Sequence, residues 1–275
     1  MSQKTYCPNC NGFSFDTPDG SYWHCFKCEY TEREGQSNYI KVKGDIPTYR
    51  SIYTELTAFY QKQLKKEHRA YLNKRGITDD TIEQYKIGYC STKPTLLYKH
   101  PKAIESGIVT KNGYVVLQNR IVFPYLLGDK VTDIRGRLYQ GEGERYLSLM
   151  GSTYFRGATF AYNVNTHASE IIITEGEIKA LAACQLGYHC VGLPGILSRR
   201  CFTIIDTDKQ YLCFDSQKDM RYVNRAMKTQ LDRMYNAYVI TLPIYDREKM
   251  DIDTFILSIG ANSFHTLVRY AKKVH

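Results

Sequence analysis

Residues 171–187 read IIITEGEIKALAACQLG. Ile171, Ile172 and Ile173 predict a short buried strand, and Glu175 falls just past its C-terminal end. Gly176 permits a tight turn there. Ile178, Leu181, Ala182 and Leu186 then follow at near-helical spacing. A solvated acid is easier to place elsewhere, so a carboxylate on a glycine hinge at a strand end points to a ligand. In open α/β sheets, ligands bind outside the carboxyl ends of the strands.

The surrounding sequence repeats the pattern. From about residue 168, short apolar runs (EIIITEG, HCVGLPG, YLCFDS and AYVITLP) alternate with helical patterns. That alternation predicts βαβ units and a mainly parallel sheet. YLCFD leaves Asp215 at a strand end, and the loop after AYVITLP leads to Asp251 and Asp253. An acid at a strand–helix junction is often only a helix cap or a first-turn charge. Three such clusters in succession point further. Converging carboxylates repel one another unless a cation neutralises them, and hard oxygen ligands suit Mg²⁺. Such an ion can hold a triphosphate and stabilise charge in phosphoryl transfer.

Composition narrows the class. The chain has 275 residues, 24% charged and 43% hydrophobic, which fits a globular protein of about two domains. No run of 18 apolar residues predicts a membrane span, and MSQKTYCPNC has no signal-peptide core, so the expected location is the cytoplasm. A net charge of +9 together with 24 tyrosines favours a polyanionic, stackable partner such as nucleic acid.

Four of the nine cysteines cluster early, as Cys7-x2-Cys10 and Cys25-x2-Cys28. Two such knuckles a hairpin apart predict one structural zinc held by four thiolates, in a ribbon whose folding energy comes from the metal. The intervening FSFDTPDGSYW alternates about a Pro-Asp-Gly turn, as a strand–turn–strand does. The expected organisation is a zinc ribbon over 1–32, a polar linker over 33–47, a mixed basic region over 48–167 and the α/β domain over 168–275.

Several motifs together resemble one family. TEGEIKALAACQLG, CFDS and DIDTFI resemble the acidic motifs of a TOPRIM domain. HRAYLNKRGITDDTIEQYKIGYC, LQNRIVFPYLLGDKVTDIRGR and ERYLSLMGSTYFRGATFAY resemble, in order, the catalytic core of DnaG-type DNA primases of the phage or mobile-element kind. The resemblance implies a zinc ribbon, a primase core subdomain and a TOPRIM α/β domain. It also implies synthesis of short RNA primers from NTPs on single-stranded DNA, with Mg²⁺ or Mn²⁺ on Glu175, Asp215, Asp251 and Asp253. Template and nucleotide would meet Asn119, Arg120, Arg135, Arg137, Arg145, Tyr146 and Arg156. Any helicase partner would be a separate protein. Two positions depart from the family pattern: Gln217 stands where a second aspartate is usual, with Asp219 two residues on, and Lys179 stands four residues after Glu175 where an acid is usual. These departures keep open the reading as a non-catalytic nucleic-acid-binding replication regulator; a TOPRIM nuclease is the other alternative, though a nuclease would not need the NRIVFP segment.

Overall fold

In the first 48 residues the computed structural model describes five strands; beyond them it describes residues 49–91, 102–127, 130–149, 168–194, 207–232, 234 and 236–274. The chain divides into two compact units, Met1–Ile46 and Pro47–His275.

In the first unit, β1 (Lys4–Tyr6), β2 (Phe13–Asp16), β3 (Tyr22–Cys25), β4 (Thr31–Arg33) and β5 (Gln36–Asn38) form one antiparallel sheet in chain order. β2 and β3 flank the Pro-Asp-Gly sequence, with Ser14 opposite Cys25 and Asp16 opposite Trp23. The sheet runs on into the stretch expected to be a linker. β5 lies within 33–47, and Arg33 pairs with Gln36 across Glu34 and Gly35. The pairing is made by backbone groups, which a polar composition does not reveal.

The second unit begins with α1 (Tyr49–Gln63), α2 (Lys66–Lys74) and α3 (Asp79–Gln84). Thr78 caps α3 by accepting from the Thr81 N–H at 3.3 Å, and Asp79 and Asp80 complement its N-terminal dipole. A four-stranded antiparallel sheet follows: β6 (Gly88–Cys90), β7 (Arg120–Leu127), β8 (Lys130–Leu138) and β9 (Tyr146–Ser148). Its two faces enter different cores, because successive strand residues point in opposite directions. Val122 and Ile134 pack with Ile52, Leu56 and Tyr60 of α1. α1 rides directly on β6, where a Cβ on Gly88 would come within 2.6 Å of the Tyr60 carbonyl carbon. Ile121, Phe123 and Tyr125 face the other way.

The remainder comprises β10 (Glu170–Glu175), α4 (Glu177–Cys184), β11 (Cys190–Leu193), β12 (Lys209–Leu212), β13 (Ser216–Gln217), α5 (Arg221–Leu231), β14 (Ala237–Val239), β15 (Lys249–Met250), α6 (Ile252–Ile259), α7 (Ala261–Arg269) and β16 (Lys272–Lys273). The sheet order is β11-β10-β12-β14-β16, parallel except for β16 at one edge. The sheet is therefore mixed: an antiparallel edge strand closes a parallel core. The isoleucine run fits a strand covered on both faces. Ile171 and Ile173 pack with Val191, Leu212, Val223 and Ala226. Ile172 packs on the opposite side with Ile178 and Leu181 of α4 and Phe255 of α6, in the same cluster as Ile121, Phe123, Leu72 and Ile77. One core thus joins the two sheets. Among the described residues, no helix is long and apolar enough to cross a membrane.

Phe123 is fully buried in this shared core. Phe123→Ala is expected to cost about 3–5 kcal/mol and to shift the unfolding of both sheets together. Far-UV circular dichroism in urea should show one displaced transition for residues 47–275, while fluorescence of the single tryptophan, Trp23, reports the first unit. Separate transitions for the two sheets would contradict a shared core.

Candidate active site

The turn that opened the sequence reading builds the centre of the site. Gly176 has φ 77°, a left-handed conformation that glycine accepts readily, and its N–H donates to the Leu193 carbonyl at 2.7 Å. Gly192 on β11 lies hard against this turn, since a Cβ there would fall 2.2 Å from the Gly176 oxygen. The turn sends the two acids of TEGE in different directions. Glu175 faces a cleft. Glu177 goes inward and is fully buried, where its Oε1 accepts from the Tyr125 hydroxyl at 2.7 Å and from Arg135 Nη1 at 3.0 Å. Burial, with Glu177 alongside, raises the Tyr125 phenol well above its ordinary value, so it remains a donor.

The cleft has a volume of about 120 Å³. It is lined by Arg135, Arg137, Arg145 and Tyr146 from the β8–β9 region and by Arg75, Glu175, Gly176, Lys179, Lys249 and Asp251. Arg135 is held by Glu177 and by the Pro194 carbonyl at 2.9 Å. Arg137 donates from Nε to the Tyr71 hydroxyl at 2.8 Å and from Nη1 to the Tyr146 hydroxyl. Both guanidinium groups lie over the Tyr146 ring, at 4.6 Å and 5.1 Å from its centroid. These contacts fix two cations in place before any ligand arrives. Burial opposes the charge on both arginines, but the adjoining carboxylate or phenols outweigh it, and both remain protonated.

The four acids receive unequal treatment. Asp215 is only 4% exposed, and Lys179 Nζ lies 2.7 Å from each of its oxygens. Lys249 Nζ adds a contact at 2.6 Å. Lys179 also lies 3.7 Å from Glu175, one helical turn away. Asp253 is buried against Arg75, whose Nε donates to it at 2.6 Å. Burial and the neighbouring Asp251 push Asp253 up to about 6, against the pull of Arg75. Asp251 caps α6 through the Thr254 N–H at 3.1 Å while lining the cleft, with Arg75 Nη2 at 3.7 Å. Burial disfavours its charge, but the Thr254 hydrogen bond and nearby Lys179 leave its carboxyl below the usual range. The cap and the site are thus one residue.

Other residues singled out in the sequence lie elsewhere. Arg120 opposes Leu138 on β7, so it shares the sheet face of Gly136 and not that of Arg135 and Arg137. It is buried there, reaching the Arg145 carbonyl at 3.4 Å. Asn119 is exposed with φ 57° and accepts from the Tyr89 hydroxyl at 3.4 Å. Gln217 donates to the Asp219 carbonyl at 2.8 Å, and the Asp219 carboxylate pairs with exposed Arg221. Arg156, Cys7, Cys10 and Cys28 lie outside the described residues, as does the side chain of Cys25. In the other direction, the structure adds residues to which the sequence reading gave no role: Arg75, Lys249, Tyr71 and Glu177. Arg75 stands in the quoted KRGIT, but its partner Asp253 is 178 positions away, and only the fold joins them.

A divalent ion fits this donor set in one place. Glu175 and Asp251 present hard oxygens to the cleft, and one or two carboxylates plus substrate phosphates are a usual Mg²⁺ set. Asp215 and Asp253 are already neutralised by side chains. Among the described residues, no group of three or more His, Cys, Asp or Glu is disposed to hold a metal by itself.

Comparison with known proteins agrees with this architecture. The family described as DNA primase catalytic core, N-terminal domain, matches residues 58–168, and a domain of unknown function, DUF3854, matches residues 160–263. The DNA primase of Haemophilus influenzae is 25% identical over 276 residues, covering 89% of this chain and 46% of that protein. The DNA primase of Staphylococcus epidermidis is 26% identical over 230 residues, covering 74% of this chain and 38% of that protein. The chain thus spans less than half the length of these relatives. The fold matches a DnaG catalytic core with TM-score 0.69 at 22% identity, covering 82% of this chain and 80% of that one. It also matches the zinc-binding and RNA polymerase domains of the Aquifex aeolicus primase, with TM-score 0.70 at 18% identity over 99% of this chain and 79% of that one. The cleft is built from both matched segments, and over them the chain is similar to DnaG-type DNA primases.

Proposed function

We propose that this chain synthesises short RNA primers from NTPs on single-stranded DNA, by metal-dependent nucleotidyl transfer in the cleft between β8–β9 and the acidic strand edge. The observation that carries this reading is the facing of Arg135 and Arg137, already fixed, against Glu175 and Asp251. Such a cleft suits a triphosphate. Planar guanidinium forks meet phosphate oxygens on one side, and carboxylates on the other would hold one Mg²⁺ or Mn²⁺, which supplies charge neutralisation when bound. Holding both groups rigidly before the substrate enters lowers the cost of bringing the triphosphate to an attacking 3′-hydroxyl. Tyr146, between its two cations, orients them. Exposed Arg145 at the rim adds positive charge for template or nucleotide.

The acidic α/β domain is proposed as a TOPRIM domain. The strand-edge positions of Glu175, Asp215 and Asp251 support that assignment. A structure described as a DnaG primase catalytic domain bound to ssDNA shares the fold, with TM-score 0.67 at 21% identity, and that likeness supports single-stranded DNA as the template here. The first unit is proposed to hold one structural zinc on Cys7, Cys10, Cys25 and Cys28. The fold match to a zinc-binding primase over 99% of the chain supports this. Contacts from Asn119 and Arg156 to template, a separate helicase partner, and a role in phage or plasmid-type replication within the bacterial cytoplasm remain parts of the same proposal, whereas buried Arg120 is not offered as a template contact.

One incubation separates the readings. The chain, single-stranded DNA, Mg²⁺ or Mn²⁺ and labelled NTPs should yield short RNA products. Cleaved DNA would select the nuclease, and neither product would select the binding regulator. Arg137→Ala should lower primer yield by about a hundredfold, the usual scale for loss of one positioned electrostatic group, with the circular dichroism spectrum unchanged. A normal yield would remove the arginine side of the cleft from the account. Single-strand affinity should fall as salt rises, because phosphate contacts release counterions. Metal analysis should find one zinc per chain, lost in Cys25→Ser together with initiation but not with extension of a preformed primer. Protein purified without chelators and free of zinc would contradict the ribbon.

A further inference from the structure

We infer that Lys179 is a fixed cation of the acidic site. It takes the place at Asp215 that a second divalent ion would otherwise fill, so the cleft operates with one divalent ion. The inference rests on the reading of the cleft as a primer-synthesis site and adds how its charge is balanced.

Lys179 sits in the first turn of α4, four residues after Glu175 at the end of β10, and its ammonium lies over the strand edge. Its Nζ is 2.7 Å from Oδ1 and 2.7 Å from Oδ2 of Asp215, so it straddles the carboxylate. Lys249 approaches the same carboxylate from β15 at 2.6 Å. β15 is held there by pairing with β13, which sets Lys249 opposite Gln217. Asp215 is nearly sequestered: both ammonium groups lie at Oδ2, and Oδ1, 2.7 Å from Lys179, is buried without a directed hydrogen bond of its own. Mg²⁺ needs oxygens at 2.0–2.1 Å in near-octahedral array, and ammonium groups at these positions exclude that arrangement. Two further groups that could rebuild it are committed elsewhere: Gln217 is neutral and turned to the Asp219 carbonyl, and the Asp219 carboxylate is paired with Arg221.

The charge count leads to the same place. On the acidic edge alone, Glu175, Asp215, Asp251 and Asp253 carry four negative charges, and Lys179, Lys249 and Arg75 return three positive ones, leaving one; Arg137 and Arg145, which line the same cleft, stand outside that count and are left for a ligand's phosphates. That residue of charge, on the two acids open to the cleft, suits one divalent ion shared with a triphosphate. Lys179 is covalently present and occupies its position whatever the ion concentration in solution.

The test counts Mn²⁺ on the zinc-loaded full chain by the paramagnetic resonance signal of the free ion. The parent should bind one Mn²⁺, and Glu175→Gln should abolish it. Asp215→Asn should still bind one, because Asp215 serves Lys179 and not the metal. Lys179→Asp should bind two. A parent that binds two ions, a loss of the ion in Asp215→Asn, or a single ion in folded Lys179→Asp would each overturn the inference. The Asp215→Asn and parent counts decide even if Lys179→Asp fails to fold. Primer synthesis measured alongside separates the two levels: primers with two bound ions refute only the role of Lys179, whereas no ion and no primers refute the reading of the cleft itself.

Discussion

Four carboxylates brought to one end of a sheet cannot stay charged together without cations, and the arrangement of the second unit follows from that constraint. Lys179 and Lys249 serve Asp215, and Arg75 serves Asp253. Glu175 and Asp251 are left facing the cleft. The inward acid, Glu177, is a separate case: buried, it is held by a phenol and a guanidinium and in turn fixes Arg135. Charge compensation is therefore what positions the basic wall of the cleft as well as its acidic one.

That compensation depends on the shared core. Arg75 follows α2 in one half of the unit, while its partners Asp251 and Asp253 begin α6 in the other. Arg135 on β8 reaches Glu177 on α4. These pairs keep their geometry because Phe123, Leu72, Ile172 and Phe255 pack in one cluster beneath them. Two independently mobile halves would break the ion pairs first, and each break would leave a charge buried without a partner, which is strongly destabilising.

Much of this was readable in the chain. The isoleucine run, the hinge at Gly176 and the acids after successive strands announced a parallel sheet with a site at its carboxyl edge, because strand period and turn chemistry are local properties. The need for a cation among the acids was also readable. Its identity was not: Lys179 is one turn from Glu175, but its main partner, Asp215, is 36 positions on and on another strand. Arg120 and Arg135 look equivalent in sequence, yet strand register sends them to opposite faces. The polar stretch at 36–38 pairs as a strand through its neighbour's backbone, and no apolar alternation marks it.

The central claim is that the Glu175 carboxylate is a working charge and not a structural one. Its side chain is 38% exposed, so removing the charge should leave the fold intact. The direct measurement is primer synthesis by Glu175→Gln on single-stranded DNA with Mg²⁺, alongside its thermal melt and its affinity for the template. The account predicts a melting profile and DNA binding close to the parent, with almost no primer. Primers at the parent rate would contradict it.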